Sequence, residues 1–393
     1  MKKSFLFVLG FTMCSLIFAQ DIQLTEYESI TTGSQRFGIY GPELRGKRVA
    51  VVANKASMVG DEHLIDFLLQ KEVRIAKVFS PEHGFRADAA AGELVESDTD
   101  AMTGLQIVSL YGYHKKPTHS DLENIDLVVF DLQDVGVRFY TYISTLTYVM
   151  EACAENNKPL ILLDRPNPNA YYVDGPVLEP GFKSFVGMHP VPIVYGMTIG
   201  EFAVMINEEG WLYGGVKCDL EIVEMKNYTH DMIVKLPVKP SPNLPGWESV
   251  YLYPSLCLFE GTVVSVGRGT DYPFQVFGHP DLKDGTYSFT PGANPGSRHP
   301  KLESKKCFGR NLTDYAHNYA KNEARINLTW LIASYDALAD EGVFFNDYFD
   351  KLAGTDKLRK QIEKGFGQDK IRNSWKAKLG KFKKIRQKYL IYG

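Results

Sequence analysis

Cysteine is scarce in this chain, 5 in 393 residues, and so is surplus charge: 44 Lys and Arg stand against 47 Asp and Glu. Widely spaced cysteines in a chain long enough to bury its own core exclude a disulfide-stapled scaffold and a zinc ribbon. A formal net charge of −3 offers no global attraction to nucleic acid. With 44% hydrophobic and 23% charged residues, the composition excludes a disordered, collagen-like or multi-span membrane chain. Signature motifs are missing too. No GxGxxG follows the first apolar strand, where Asn54-Lys55-Ala56-Ser57 stands instead, and there is no P-loop, GxSxG or HExxH. Dinucleotide binding is therefore disfavoured, and serine-elbow hydrolysis and zinc proteolysis lose their support. No internal repeat or low-complexity tract is present.

The chain begins Met1-Lys2-Lys3, continues with a mostly apolar run from Phe5 to Ala19, and then reads Gln20-Asp21. A basic start, an apolar stretch too short to span a bilayer and a small residue at its end predict a signal peptide over residues 1–19. An uncleaved anchor is the alternative. A lipid anchor at Cys14 fits less well, because more apolar leader follows it. The expectation is an exported protein, periplasmic or at the cell surface, with no stable membrane insertion once the leader is removed. Cys153, Cys218, Cys257 and Cys307 then remain, expected as core thiols with one oxidised pair left open.

Short apolar runs at 48–53, 73–79, 106–110, 127–132 and 160–163 alternate with helical spacing at 63–70, 142–155 and 199–208. That alternation predicts an α/β fold: a Rossmann-like, mostly parallel sheet with helices on both faces, whose ligands bind beyond the carboxyl ends of the strands. The texture changes near Thr198, with a Pro-rich segment at 237–245 and a Gly-rich one at 261–269. The expected division is a catalytic domain over 20–210 and a smaller α/β or α+β domain over 211–393. From Lys351 to Gly393 there are 14 Lys and Arg against 3 Asp and Glu, which reads as a solvated helix face or as a patch for an anionic envelope polymer.

Polar residues cluster where the strands end. Ser80-Pro81-Glu82-His83-Gly84-Phe85-Arg86 places an acid and an imidazole in a turn braced by Pro and Gly, although Glu82 could instead pair with Arg86 or cap a helix. Gln133 to Tyr142 mixes an acid, an arginine and aromatics, suited to a sugar. Asp164-Arg165-Pro166-Asn167 offers ligand contacts or a structural ion pair. The acids in these loops are Glu82, Asp131, Asp134, Asp164 and Glu179, a set that suits glycoside hydrolysis or a divalent metal site.

In order along the chain stand SPEHGFR from Ser80, FDLQDVGVRFYTY from Phe130, LDRPNP from Leu163, GPVLEP from Gly175, FEGT from Phe259, GRGT from Gly267 and FDKLAGTDKLR from Phe349. Together these motifs resemble the bacterial exo-β-N-acetylmuramidases, and the likeness runs from about Gly38 to the C-terminus. The resemblance implies release of terminal N-acetylmuramic acid from the non-reducing end of peptidoglycan fragments. It also implies a Rossmann-like domain carrying the cleft and a smaller C-terminal domain helping to close it. Glu82 is expected as general acid, with His83 orienting it and Glu179 as the second carboxylate. Asp131, Arg138, Tyr142, Asp164, Arg165, Asn167, Glu260 and Arg268 are expected to contact substrate. The lactyl carboxylate of the sugar calls for a cation, with Arg138, Arg165 or Arg268 as candidates. The 2-acetamido group as internal nucleophile stays open beside the two-carboxylate scheme. No cofactor or metal is demanded, although Glu82, His83 and Asp131 have ligating chemistry. The competing readings are an exported sugar- or muropeptide-binding protein without catalysis, and a metal-dependent hydrolase of an anionic envelope substrate.

Overall fold

A computed structural model describes residues 24–86 and 98–393; the expected leader lies outside the described residues. Strands β1 (Val49–Ala53), β4 (Ile75–Ser80), β6 (Gln106–Ser109), β7 (Leu127–Asp131), β8 (Leu160–Leu163) and β9 (Leu220–Val223) form one parallel sheet, and β5 (Asp98–Thr99) adds an antiparallel edge. A small hairpin, β2 (Met58–Val59) with β3 (Glu62–His63), follows β1. The spatial order is β5-β6-β4-β1-β7-β8-β9. Counted along the chain, the parallel strands run 3-2-1-4-5-6, the doubly wound order.

β1 shows why the sheet is two-sided. Val49, Val51 and Ala53 belong to one buried cluster with Tyr40, Leu44, Leu64 and Leu68, while Ala50 and Val52 belong to another with Leu146, Met150 and Phe202. A strand apolar on both faces needs a helical layer on each. Helices α1 (Phe37–Leu44) and α2 (Leu64–Gln70) supply the first layer, and α4 (Tyr142–Glu155) and α5 (Ile199–Glu208) the second; α3 (His119–Leu122) is a single capped turn.

The second part carries an antiparallel sheet, ordered β10-β12-β11, of β10 (Val276–His279), β11 (Tyr287–Phe289) and β12 (Cys307–Asn311). Around it lie α6 (Trp247–Leu256), α7 (Thr313–Glu323), α8 (Thr329–Leu338), α9 (Phe349–Ala353), α10 (Lys357–Glu363) and α11 (Gln368–Arg386). The boundary expected at residue 210 falls too early, because β9 still pairs with β8 in the first sheet. The first part therefore extends beyond Val223. One buried cluster, reaching from Ala50 to Phe382, joins both parts into a shared core.

On α11, Ile371, Trp375, Leu379 and Phe382 are buried, so its lysines face outward. One of them, Lys378, pairs with Glu179, and past the end of the helix Lys388 pairs with Glu209 at 2.7 Å; both acids belong to the first part. All four described cysteines are buried thiols. No helix among the described residues is long and apolar enough to cross a membrane.

Candidate active site

Beyond the carboxyl ends of β4, β6 and β7, where the two parts meet, lies a cleft of about 920 Å³. Glu82, His83, Tyr111 and Thr141 line it from the first part, and Glu260, Arg268, Lys301 and Tyr348 from the second. Among the described residues no group of three His, Cys, Asp or Glu side chains forms a metal-ligating cluster.

The turn after β4 fixes Glu82. His83 and Gly84 are both left-handed, with φ of 75° and 82°, and the Gly84 amide donates to the Pro81 carbonyl at 3.2 Å. A non-glycine residue held at positive φ stores backbone strain, which native chains tolerate where a side chain must be aimed. Arg86 is not the partner of Glu82. Its guanidinium binds Asp66 at 2.7 Å and Asp100 at 3.2 Å, anchoring the far side of the turn. The Glu82 carboxylate accepts a hydrogen bond from Thr141 Oγ1 at 2.7 Å, and Tyr111 lines the cleft beside it. Burial, and then the Glu82 charge, push the Tyr111 phenol well up.

Across the cleft, Arg268 Nε meets Glu260 Oε2 at 2.9 Å, and the guanidinium lies 5.0 Å above the Phe274 ring. The flanking glycines, Gly267 and Gly269, have φ of 76° and 78°. A Cβ on Gly269 would sit 2.3 Å from the Gly292 carbonyl oxygen, so this turn needs glycine. Tyr348 also lines the cleft; partial burial raises its phenol most, and the Glu260 and Glu82 charges add to that rise. Two carboxylates, one from each part, thus face a common space.

Of the residues expected at the site, Glu82, His83, Glu260 and Arg268 line this cleft. The others do not line it. Asp131 and Arg165 make a buried bidentate pair at 2.5 and 2.8 Å, and Arg165 also donates to the Met58 carbonyl at 2.8 Å. Both side chains are almost wholly buried. Arg138 is wholly buried and donates to the carbonyls of Pro176 and Val191 at 2.8 Å and of Leu352 at 2.9 Å. Neither Arg138 nor Arg165 is placed to take a lactyl carboxylate, and Arg268 is engaged by Glu260. Asp164 lies at the N-terminus of α5, accepting from Thr198 Oγ1 at 2.7 Å and the Gly200 amide at 2.9 Å; burial pushes its carboxyl up to about 6. Asn167 binds the Met197 carbonyl at 2.7 Å and the Asn169 amide at 2.8 Å. Tyr142 is buried beneath the Glu82 turn, its hydroxyl accepting from Asn54 at 2.7 Å and reaching the Glu82 carbonyl at 3.4 Å.

Glu179 is a surface residue between Lys357, at 2.7 Å, and Lys378. Burial opposes its ionisation, but the two ammonium groups outweigh it and hold the carboxyl at about 2. Glu179→Gln is expected to leave kcat/KM within about 3-fold and to cost about 1 kcal/mol or less, as exposed pairs do. Steady-state kinetics and a denaturant melt check this, and a loss of turnover would restore Glu179 to the reaction.

Tyr111, Thr141, Lys115, Lys301 and Tyr348 line the cleft and went unread in the sequence. Tyr111 stands just past the apolar run at 106–110, the same strand-end position that marked Glu82. Thr141 lies within the segment from Gln133 to Tyr142 without standing out there, and Lys115, Lys301 and Tyr348 carry no comparable signal.

The family model described as exo-β-N-acetylmuramidase NamZ, N-terminal, matches residues 49–248, and its C-terminal counterpart matches residues 251–392. The chain is 40% identical over 373 residues to the peptidoglycan β-N-acetylmuramidase NamZ of Bacillus subtilis (strain 168), covering 90% of this chain and 89% of that one. It is also similar to two crystal structures of DUF1343 family proteins from Bacteroides fragilis NCTC 9343. One has 44% identity and a TM-score of 0.86, covering 92% of this chain and 99% of the other. The second has 29% identity and a TM-score of 0.78, covering 93% and 99%. Both walls of the cleft are matched in order and almost end to end, and the chain belongs to the exo-β-N-acetylmuramidase family of glycoside hydrolases.

Proposed function

We propose that Glu82 is the general acid with which this muramidase releases terminal N-acetylmuramic acid from the non-reducing end of peptidoglycan fragments. The observation that carries the assignment is the Glu82 carboxylate, which lines the cleft and is held by the Thr141 hydroxyl. Glycoside cleavage needs a proton on the leaving oxygen and a negative charge near the oxocarbenium-like carbon. Glu82 supplies the first. Glu260, fixed by Arg268, is the second carboxylate, either stabilising that carbon or orienting the 2-acetamido group of the sugar.

The substrate carries its own carboxylate on the lactyl ether, and the cleft offers Lys115 to meet it. The Lys115 ammonium lies 5.0 Å from the centre of the Phe185 ring, and Phe185 packs on Tyr111, which lines the cleft with Glu82. A charge-assisted contact there would separate muramic acid from glucosamine derivatives. The polymer substrate and the leader-like first residues support an exported protein working in the periplasm or at the cell surface.

The test pairs a chromogenic N-acetylmuramide with the matching N-acetylglucosaminide, with and without chelator. Release from the muramide alone, unchanged by chelator, is the expected result. Binding without release from either would make the protein a receptor, and loss on chelation would demand a metal. In the same assay Lys115→Met is expected to raise KM about 10-fold with little change in kcat. An unchanged KM would move the lactyl contact elsewhere.

A further inference from the structure

We infer that Lys301 is a positioning residue for the reaction: its ammonium clamps the backbone that carries Glu260, so that the carboxylate meets the sugar at a fixed place. The inference rests on the reading of Glu260 as the second carboxylate. Lys301 Nζ donates to four carbonyl oxygens, those of Phe259 at 2.9 Å, Glu260 at 3.3 Å, Thr262 at 2.5 Å and Val264 at 3.2 Å. All four belong to one bend, where the 3-10 turn Cys257–Gly261 ends and the chain turns back toward Phe345. Several carbonyls converging on one point repel each other unless a cation sits among them. The ammonium takes the place that a bound monovalent cation would occupy.

The opposite side of the bend is equally confined. A Cβ on Gly261 would lie 2.4 Å from the Cα of Phe349, so the backbone runs hard against α9. Glu260 is thus fixed three ways: α9 behind its backbone, the Lys301 ammonium within the bend, and Arg268 on its carboxylate. An ammonium has three hydrogens, and four carbonyls surround this one. It has none to spare for a sugar hydroxyl or a lactyl carboxylate, although Lys301 lines the cleft. Lys301 acts through Glu260 and not on the substrate.

The test uses the whole chain with Lys301→Ala, Lys301→Met and Glu260→Gln, assayed on the muramide well below each variant's melting temperature. Loss of the clamp is expected to lower kcat about 100-fold in Lys301→Ala while KM stays within about 3-fold, the pattern of a misplaced catalytic group. n-Propylammonium replaces the atoms removed, and at tens of millimolar it is expected to restore kcat about 10-fold in Lys301→Ala, with n-propanol inert and the parent protein unaffected. Lys301→Met keeps the packing without the charge, so it is expected to stay impaired and to ignore the amine. If Lys301→Ala does not fold, a Lys301→Met enzyme of near-parental kcat overturns the role by itself. The role is equally overturned by equal rescue from the alcohol, or by a raised KM at unchanged kcat. An inactive Glu260→Gln beside an active Lys301→Ala removes the positioning role alone, whereas a fully active Glu260→Gln removes the assignment of Glu260 and the clamp's purpose with it.

Discussion

Glu82→Gln lowers kcat on a natural disaccharide about 1,000-fold and leaves KM within about 3-fold, the expected signature of a lost proton donor. The substitution keeps the shape of the side chain and its capacity to accept from Thr141, so the turn after β4 retains its form. Only the transferable proton disappears. Leaving-group chemistry makes the test specific. A sugar alkoxide is a poor leaving group and needs protonation, whereas a nitrophenolate leaves almost unaided, so the deficit on the chromogenic substrate is expected to shrink to about 10-fold. A loss of equal size on both substrates would show that Glu82 shapes the pocket without giving a proton. A loss of affinity would make it a binding residue.

Arg165→Met is expected to destabilise the protein by about 3–5 kcal/mol, because it strands the Asp131 carboxylate in the interior. Both side chains are almost wholly inaccessible, 2% and 0% exposed, and the guanidinium also bonds the Met58 carbonyl and the Tyr27 hydroxyl. The thermal midpoint is expected to fall by about 5–10 °C, while KM in the remaining folded protein stays near its original value. Adding Asp131→Leu to Arg165→Met should recover most of the loss, since an apolar pair of similar volume replaces a buried ion pair at little cost. Thermal melts of the two variants decide the point. A raised KM at an unchanged midpoint would put Arg165 on the substrate after all.

The first part of the fold was open to reading because its strands are short, apolar on both faces and bounded by polar loops. Leu160–Leu163, Tyr142–Glu155 and Ile199–Glu208 form as their spacing indicates. β9 escaped because it is an edge strand, only partly buried, with Glu221 exposed in its middle. The second sheet escaped because β10 and β12 contain Gly278 and Gly309, which blur the alternation of side chains. At the site, Glu82 stood out through its proline and glycine brace. Arg138, Asp164, Arg165 and Asn167 occupy similar strand-end loops, yet their polar groups are spent on backbone atoms and on one another. Residue type and position could not separate a charge that faces a ligand from one that ties loops together. That distinction depends on which way a side chain turns at the end of a strand.

The guanidinium of Arg138 joins three carbonyls, two in the first part of the chain and one, that of Leu352, beside the cleft in the second. Together with the shared core, this rivet ties the two halves to each other. The matched segments that meet near residue 250 are therefore successive lengths of one mechanical body. A chain cut at that seam would lay bare interior surface on both fragments.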